Sequence, residues 1–120
     1  MDDARVWQFE ESLWTADADH YREAIDEECV MVVPTQPYVV SGAVAVQAVI
    51  DTPRWTDVKI TERKVSRPEE GLVVAAYKVT ASKDASASYE AYCTSTYRRL
   101  GHDDWRVVQH QQTPPSALSH

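Results

Sequence analysis

Of the chain's four histidines, one sits where chemistry is plausible. His110 lies within residues 105–113, WRVVQHQQT, whose β-branched and aromatic residues predict a strand. Strand side chains alternate in direction, which groups Val108, His110 and Gln112 on one face and Gln109 and Gln111 on the other. An imidazole titrates near ~6.5 when unperturbed, so His110 is a candidate general base or hydrogen-bond donor. Its competing role is structural, bonded to a backbone carbonyl or a neighbouring tyrosine hydroxyl. With no carboxylate evidently placed to orient the ring, the structural role has the stronger claim. His20 starts a helix, His102 falls in a polar turn and His120 is terminal. Their spacing fits no metal motif, so no metal is expected.

Tyr77, Tyr89, Tyr92 and Tyr97 fall on two predicted neighbouring strands. Alternation ties Tyr89, Cys93, Ser95 and Tyr97 to one face, leaving Tyr92, Thr94, Thr96 and Arg98 on the other. The first set offers hydroxyl contacts to an apolar ligand, or it fills a core; both readings stand. Ser95 and Cys93 have no adjacent base motif, so nucleophilic catalysis has no specific support. The three glycines are isolated at turns, which excludes a phosphate-cradling loop, and no cofactor is expected.

The elements that must position these groups follow from periodicity. Val6, Phe9, Leu13 and Trp14 recur at helical spacing, with Glu10 and Glu11 between them, predicting a helix near residues 3–16. A second helix begins at Asp17 or Asp19, with Tyr21, Ala24, Ile25 and Glu28 inward. Residues 29–33 form a buried strand stopped by Pro34, and 38–40 return. A third helix opens at Ser41-Gly42 and ends at Thr52-Pro53. Strands follow over 55–66, 72–82, 88–99 and 105–113, linked by RPEEG, KDASA and LGHDD. Helices segregated from an antiparallel meander make the fold class α+β.

At 120 residues the chain is read as one domain over 1–114 with a loose tail at 115–120. A net charge of −7, from 19 acids against 12 Lys and Arg, argues against nucleic-acid binding. No apolar run reaches the ~20 residues of a membrane span. The N-terminus MDDARVW is unlike a secretory signal, which points to the cytoplasm. Cys29 and Cys93 are expected as buried thiols.

In order and spacing, residues 9–34, FEESLWTADADHYREAIDEECVMVVP, then PYVVSG and WRVVQHQQTP, resemble the cone fold of nuclear transport factor 2, ketosteroid isomerases and SnoaL-type cyclases. The closing strand is similar to that of small bacterial SnoaL-like or DUF4440 proteins. The resemblance implies three helices packed in a strongly curved, mainly antiparallel sheet. It directs Val108, His110 and Gln112 into the cone, with Phe9, Leu13, Tyr21, Val33, Tyr77, Cys93, Ser95 and Tyr97 as further pocket residues. The isomerase tyrosine falls on Phe9, its proton-moving aspartate on Val33 and its second acid near Cys93. Steroid-type enolisation through those positions is therefore excluded, since Phe and Val neither titrate nor donate.

Two functions compete. One is a pocket for a small apolar ligand with a few polar groups; any catalysis would be isomerase-, cyclase- or dehydratase-like acid–base work by His110, with Tyr97 or Gln112 positioning the substrate. The other is a non-catalytic homodimeric association module with a filled pocket. In either case the neutral outer face of the last strands, with Tyr92, Thr94, Thr96, Gln109 and Gln111, is expected to pair two subunits. The inward strand positions hold no acid, and the hollow is expected to lack ionised carboxylates.

Overall fold

Each helix starts where a short polar side chain can take up a free backbone N–H. Asp2 accepts from the Arg5 amide at 2.9 Å, Asp17 from His20 at 3.0 Å and Ser41 from Val44 at 3.3 Å. Such caps are worth about 1 kcal/mol each. They open α1 (Asp3–Thr15), α2 (Ala18–Ala24) and α3 (Gly42–Ile50). The strands are β1 (Ile25–Val32), β2 (Val39–Ser41), β3 (Asp57–Glu69), β4 (Leu72–Ser82), β5 (Ser88–Gly101) and β6 (Asp104–Thr113), followed by a 3-10 turn at Pro115–Leu118. The computed structural model describes residues 1–83 and 88–118. The predicted link KDASA, beyond Lys83, and His120 lie outside the described residues.

The six strands form one sheet in the order β2-β1-β6-β5-β4-β3. Every pairing is antiparallel except β1 with β6, where Met31 lies opposite His110. That parallel pair brings the N-terminal third of the chain beside the last strand. The fold class is the expected α+β, with three helices held in a mixed six-stranded sheet.

Strand β4 alternates strictly, with Val73, Ala75, Tyr77, Val79 and Ala81 buried. The strand β5 set Cys93, Ser95 and Tyr97 faces the same core. Val6, Trp7, Leu13 and Trp14 pack onto it from α1. Helix α3 approaches β1 closely at Gly42. A Cβ there would lie 3.0 Å from the Ile25 side chain and 3.1 Å from the Asp26 carbonyl oxygen, so glycine lets the two backbones meet.

Two local expectations are corrected. Val107, not Val108, is buried: Thr96 pairs with Gln109 but Tyr97 pairs with Val107, so Val108 is the extra residue of a β-bulge. Ile25 and Glu28 are not on a helix, because α2 ends at Ala24 and the chain is already extended at Ile25. Asp26 then turns inward and its Oδ1 accepts the Glu28 amide at 2.9 Å, leaving Glu27 and Glu28 in solvent. Arg98 grips the other Asp26 oxygen at 3.0 and 2.8 Å, linking β5 to β1. The Glu28 amide, reinforced by Arg98, holds the Asp26 carboxyl below the usual carboxylate range.

Candidate functional site

Between the helices and the concave sheet lies a cavity of about 460 Å³. Its walls are largely apolar: Leu13 and Trp14 from α1, Ile25 and Met31 from β1, Ala45 and Val49 from α3. The exposed residues Thr35, Gln36, Pro37 and Thr52 line its rim. At the sheet end three polar residues enter the wall, Tyr89, His110 and Gln112. Arg54 also lines it, but its guanidinium is occupied: Nε donates to the Ala16 carbonyl at 2.7 Å and Nη2 to the Leu13 carbonyl. It thereby supplies the cation that the last turn of α1 lacks. A separate hollow of about 310 Å³ at the β3–β4 turn, with Arg67, Glu69, Glu70 and Arg99 among its lining residues, lies away from these groups.

Behind the polar wall runs a buried chain of hydrogen bonds, and its centre is Glu10. This carboxyl is 0% exposed. Its Oε1 accepts from Tyr77 at 2.6 Å and from Ser95 at 2.5 Å, while Oε2 has no partner among the described residues. Ser95 Oγ lies 2.8 Å from His110 Nδ1, which is itself 3.8 Å from Glu10 Oε1. Beyond the ring, His110 Nε2 is 3.1 Å from the Gln112 amide nitrogen, and Gln112 Oε1 accepts from the Tyr89 hydroxyl at 3.0 Å.

Donor chemistry fixes the direction of these bonds. The Trp14 indole N–H can only donate and reaches Tyr77 OH at 3.1 Å, so Tyr77 gives its own hydrogen to Glu10. At the other end Gln112 donates to His110 Nε2, which leaves the ring hydrogen on Nδ1. Nδ1–H then donates to Ser95, and Ser95 donates to Glu10. Every hydrogen points toward one carboxylate.

Burial sets the proton affinities. It pushes Glu10 up to about 7, against the lowering bonds from Ser95 and Tyr77. It pushes His110 down to about 4, against a backbone hydrogen bond at Thr94. The pair therefore keeps its proton on the carboxyl side as pH falls toward neutrality, with the imidazole uncharged. Cys29 and Cys93 are free thiols, each pushed up to about 12 by burial. Neither is a thiolate nucleophile near neutral pH.

The expected pocket set is divided by the structure. Leu13, Tyr21, Val33, His110 and Gln112 line the cavity. Tyr77, Cys93 and Ser95 are buried behind that wall, and Tyr97 is fully buried with its ring 5.1 Å from that of Phe9. Phe9, Tyr97 and the bulge residue Val108 do not line it, which removes Tyr97 as a substrate-positioning group. The expectation of a hollow without a carboxylate beside His110 is overturned by Glu10, which enters from α1 and not from a strand. His20 is exposed and bonded at 2.8 Å to Ser12 Oγ.

Three helices inside a curved sheet, enclosing a cavity open at one end, define a cone fold of the NTF2-like kind. Residues 4–117 match the model of the SnoaL-like domain, and the chain belongs to that family. Solved structures share the fold at low identity. A candidate ketosteroid isomerase from Parabacteroides distasonis superposes with a TM-score of 0.79 at 16% identity, over 95% of this chain and 88% of that one. An NTF2-like protein of unknown function in nutrient uptake from Rhodospirillum rubrum gives 0.79 at 12% identity, over 95% and 98%. The association domain of the C. elegans calcium/calmodulin-dependent kinase II gives 0.74 at 15% identity, over 92% and 91%. No curated protein matches the chain in sequence. Among the described residues no helix is long and apolar enough to cross a membrane.

Proposed function

We propose that this protein binds a small, mainly apolar molecule in the cone cavity, with the molecule's polar end against His110 and Gln112. The observation that carries this reading is the cavity of about 460 Å³, which is within the roughly 300–1,000 Å³ of ligand sites. A vestigial core would be filled by the aromatic residues, yet Trp55 and Tyr89 stack, with Trp14 tilted against both, beside the space and leave it open. Arg54 is the charged residue of the wall among the described residues and is turned onto the Ala16 and Leu13 carbonyls, so a mainly neutral ligand suits the rest of the wall. Proton transfer, where the ligand permits it, falls to His110 as the titratable group on the wall that is backed by a carboxyl. The positions of Phe9 and Val33 offer no such group, which argues against steroid-type isomerisation.

Pairing of two subunits rests on a different observation. Val39, Val32, Gln111 and Thr94 stand in one row across four strands, and Val30, Gln109 and Thr96 in the next. Val30, Val32 and Val39 are 56%, 47% and 68% exposed. The Thr and Gln side chains of the rows bond to one another, Thr94 to Gln111 at 2.8 Å and Thr96 to Gln109 at 2.9 Å. These rows make an uncharged patch on the outer sheet face, suited to a two-fold contact between copies. That association domains share the fold is consistent with it.

Native mass spectrometry of freshly purified protein tests both readings. The expected spectrum is a dimer retaining a small organic molecule that is lost on unfolding. Ligand-free protein, even after exposure to a cell extract of metabolites, contradicts the pocket reading. A monomer at micromolar concentration contradicts the pairing.

A further inference from the structure

A buried carboxyl behind the cavity wall is a costly choice, since Glu10 Oε2 has no partner among the described residues and an apolar residue would fill the space at lower cost. Its connections run toward the cavity. From Glu10, bonds of 2.5 and 2.8 Å lead through Ser95 to His110 Nδ1, and His110 is itself a cavity-lining residue whose opposite nitrogen, Nε2, meets Gln112, another lining residue. We propose that Glu10 is the proton store of this site, taking a proton from a weakly acidic hydroxyl on the bound apolar ligand through His110 and Ser95. This rests on the ligand-pocket reading given above.

The step balances without a co-reactant. The ligand's hydroxyl takes the place of the Gln112 amide at His110 Nε2, and its O–H bond breaks as Nε2 gains the hydrogen. Nδ1 passes its hydrogen to Ser95 Oγ while the Ser95 hydroxyl hydrogen passes to Glu10 Oε1. No electrons change hands. The ligand is left as the anion, His110 stays neutral with its hydrogen now on Nε2, and Glu10 becomes a neutral acid. One negative charge has moved from the carboxylate to the ligand oxygen, so the buried site never holds two charges at once. His110 is the group that touches the ligand; Ser95 and Glu10 act through it.

The groups facing Glu10 leave it free to play this part. They are Tyr77 on β4, Cys93 and Ser95 on β5, His110 on β6 and, further off, Tyr21 on α2. The two tyrosines and the thiol are held protonated at neutral pH by burial. No lysine or arginine is among these groups to pin the carboxylate in its charged form. In the ligand-free protein the same chain reverses when Glu10 takes its proton on Oε1 and the Gln112 amide turns over, so that the Gln112 oxygen accepts from Nε2–H and its NH2 donates to the Tyr89 hydroxyl.

Nitrogen-15 NMR of the His110 ring reads this directly. In the wild type the hydrogen is expected on Nδ1 above a midpoint near 7 and on Nε2 below it, with no charged imidazolium between. In Ser95→Ala, a small lesion that leaves Glu10 in place, the exchange is expected to disappear. Ring nitrogens that do not exchange in the wild type, or that exchange equally in Ser95→Ala, overturn the relay. For the ligand class, 4-nitrophenol is the probe, its anion visible by absorbance. At one pH, bound probe is expected to show a larger anion band in the wild type than in Ser95→Ala or Glu10→Gln. Equal bands, or no binding, overturn the assignment of a hydroxylic ligand. The ring-nitrogen result is independent of any ligand, so loss of the pocket reading and loss of the relay are separately visible.

Discussion

Glu10→Gln should make stability climb with pH between about 4 and 6.5, and His110→Gln should make it fall between about 4.5 and 7. The wild type should differ from both. Glu10 is raised on folding from 4.5 to about 7, so the stability it contributes is fully present below 4.5 and is lost as pH rises through 7. His110 is lowered from 6.5 to about 4, so its contribution is present above 6.5 and is lost as pH falls through 4. Over the shared window the unfolded chain carries one proton on the imidazole and the folded chain one on the carboxyl. The two slopes cancel. Removing either partner exposes the other's slope, about 3 kcal/mol across its window at ~1.4 kcal/mol per pH unit. Urea unfolding at a series of pH values measures it, and the difference between wild type and variant removes the contribution of other groups. Parallel curves for all three proteins would show that the two groups are not buried together.

The second large effect is expected at Trp14. Its ring lies 6.3 Å from Trp55, 6.2 Å from Tyr89 and 6.2 Å from His110, and it forms part of the cavity wall. Its N–H also orients Tyr77, and through it one side of Glu10. Trp14→Ala should cost about 3–5 kcal/mol, the usual range for deleting a buried Trp or Phe. That is a large share of the ~5–15 kcal/mol of a whole domain. Trp14→Phe keeps most of the packing and loses the donor, and should cost about 1–2 kcal/mol. Urea midpoints for the two variants separate packing from hydrogen bonding. Equal losses would assign the effect to the N–H, and a loss below ~1 kcal/mol in Trp14→Ala would place the ring outside the core.

Much of the architecture was legible because punctuation and period agreed. Asp17 and Ser41 cap the second and third helices, Pro34 stops β1, and β4 alternates without a break. The expected strand over 72–82 coincides with Leu72–Ser82. The site was legible only in part. Glu10 falls four residues after Val6 and three before Leu13, on the buried stripe of α1. The helical period carried that information, but a glutamate on an amphipathic helix ordinarily marks the solvent face. What reverses the rule is the supply of partners, Tyr77 and Ser95, from strands 67 and 85 residues away. Local periodicity holds no trace of them. The bulge at Val108 was hidden for a similar reason, since WRVVQHQQT alternates acceptably in either register and only pairing with Tyr97 selects Val107. Asp26 reads as one acid among several until Arg98 is brought beside it from β5.

The central claim is a carboxyl sealed behind the wall of an open cavity, sharing one proton with His110. Carbon-13 NMR of the Glu10 side-chain carboxyl across the pH range tests it most directly. A titration midpoint near 7 is the predicted result. A midpoint near 4.5, the value of a glutamate in water, would contradict it.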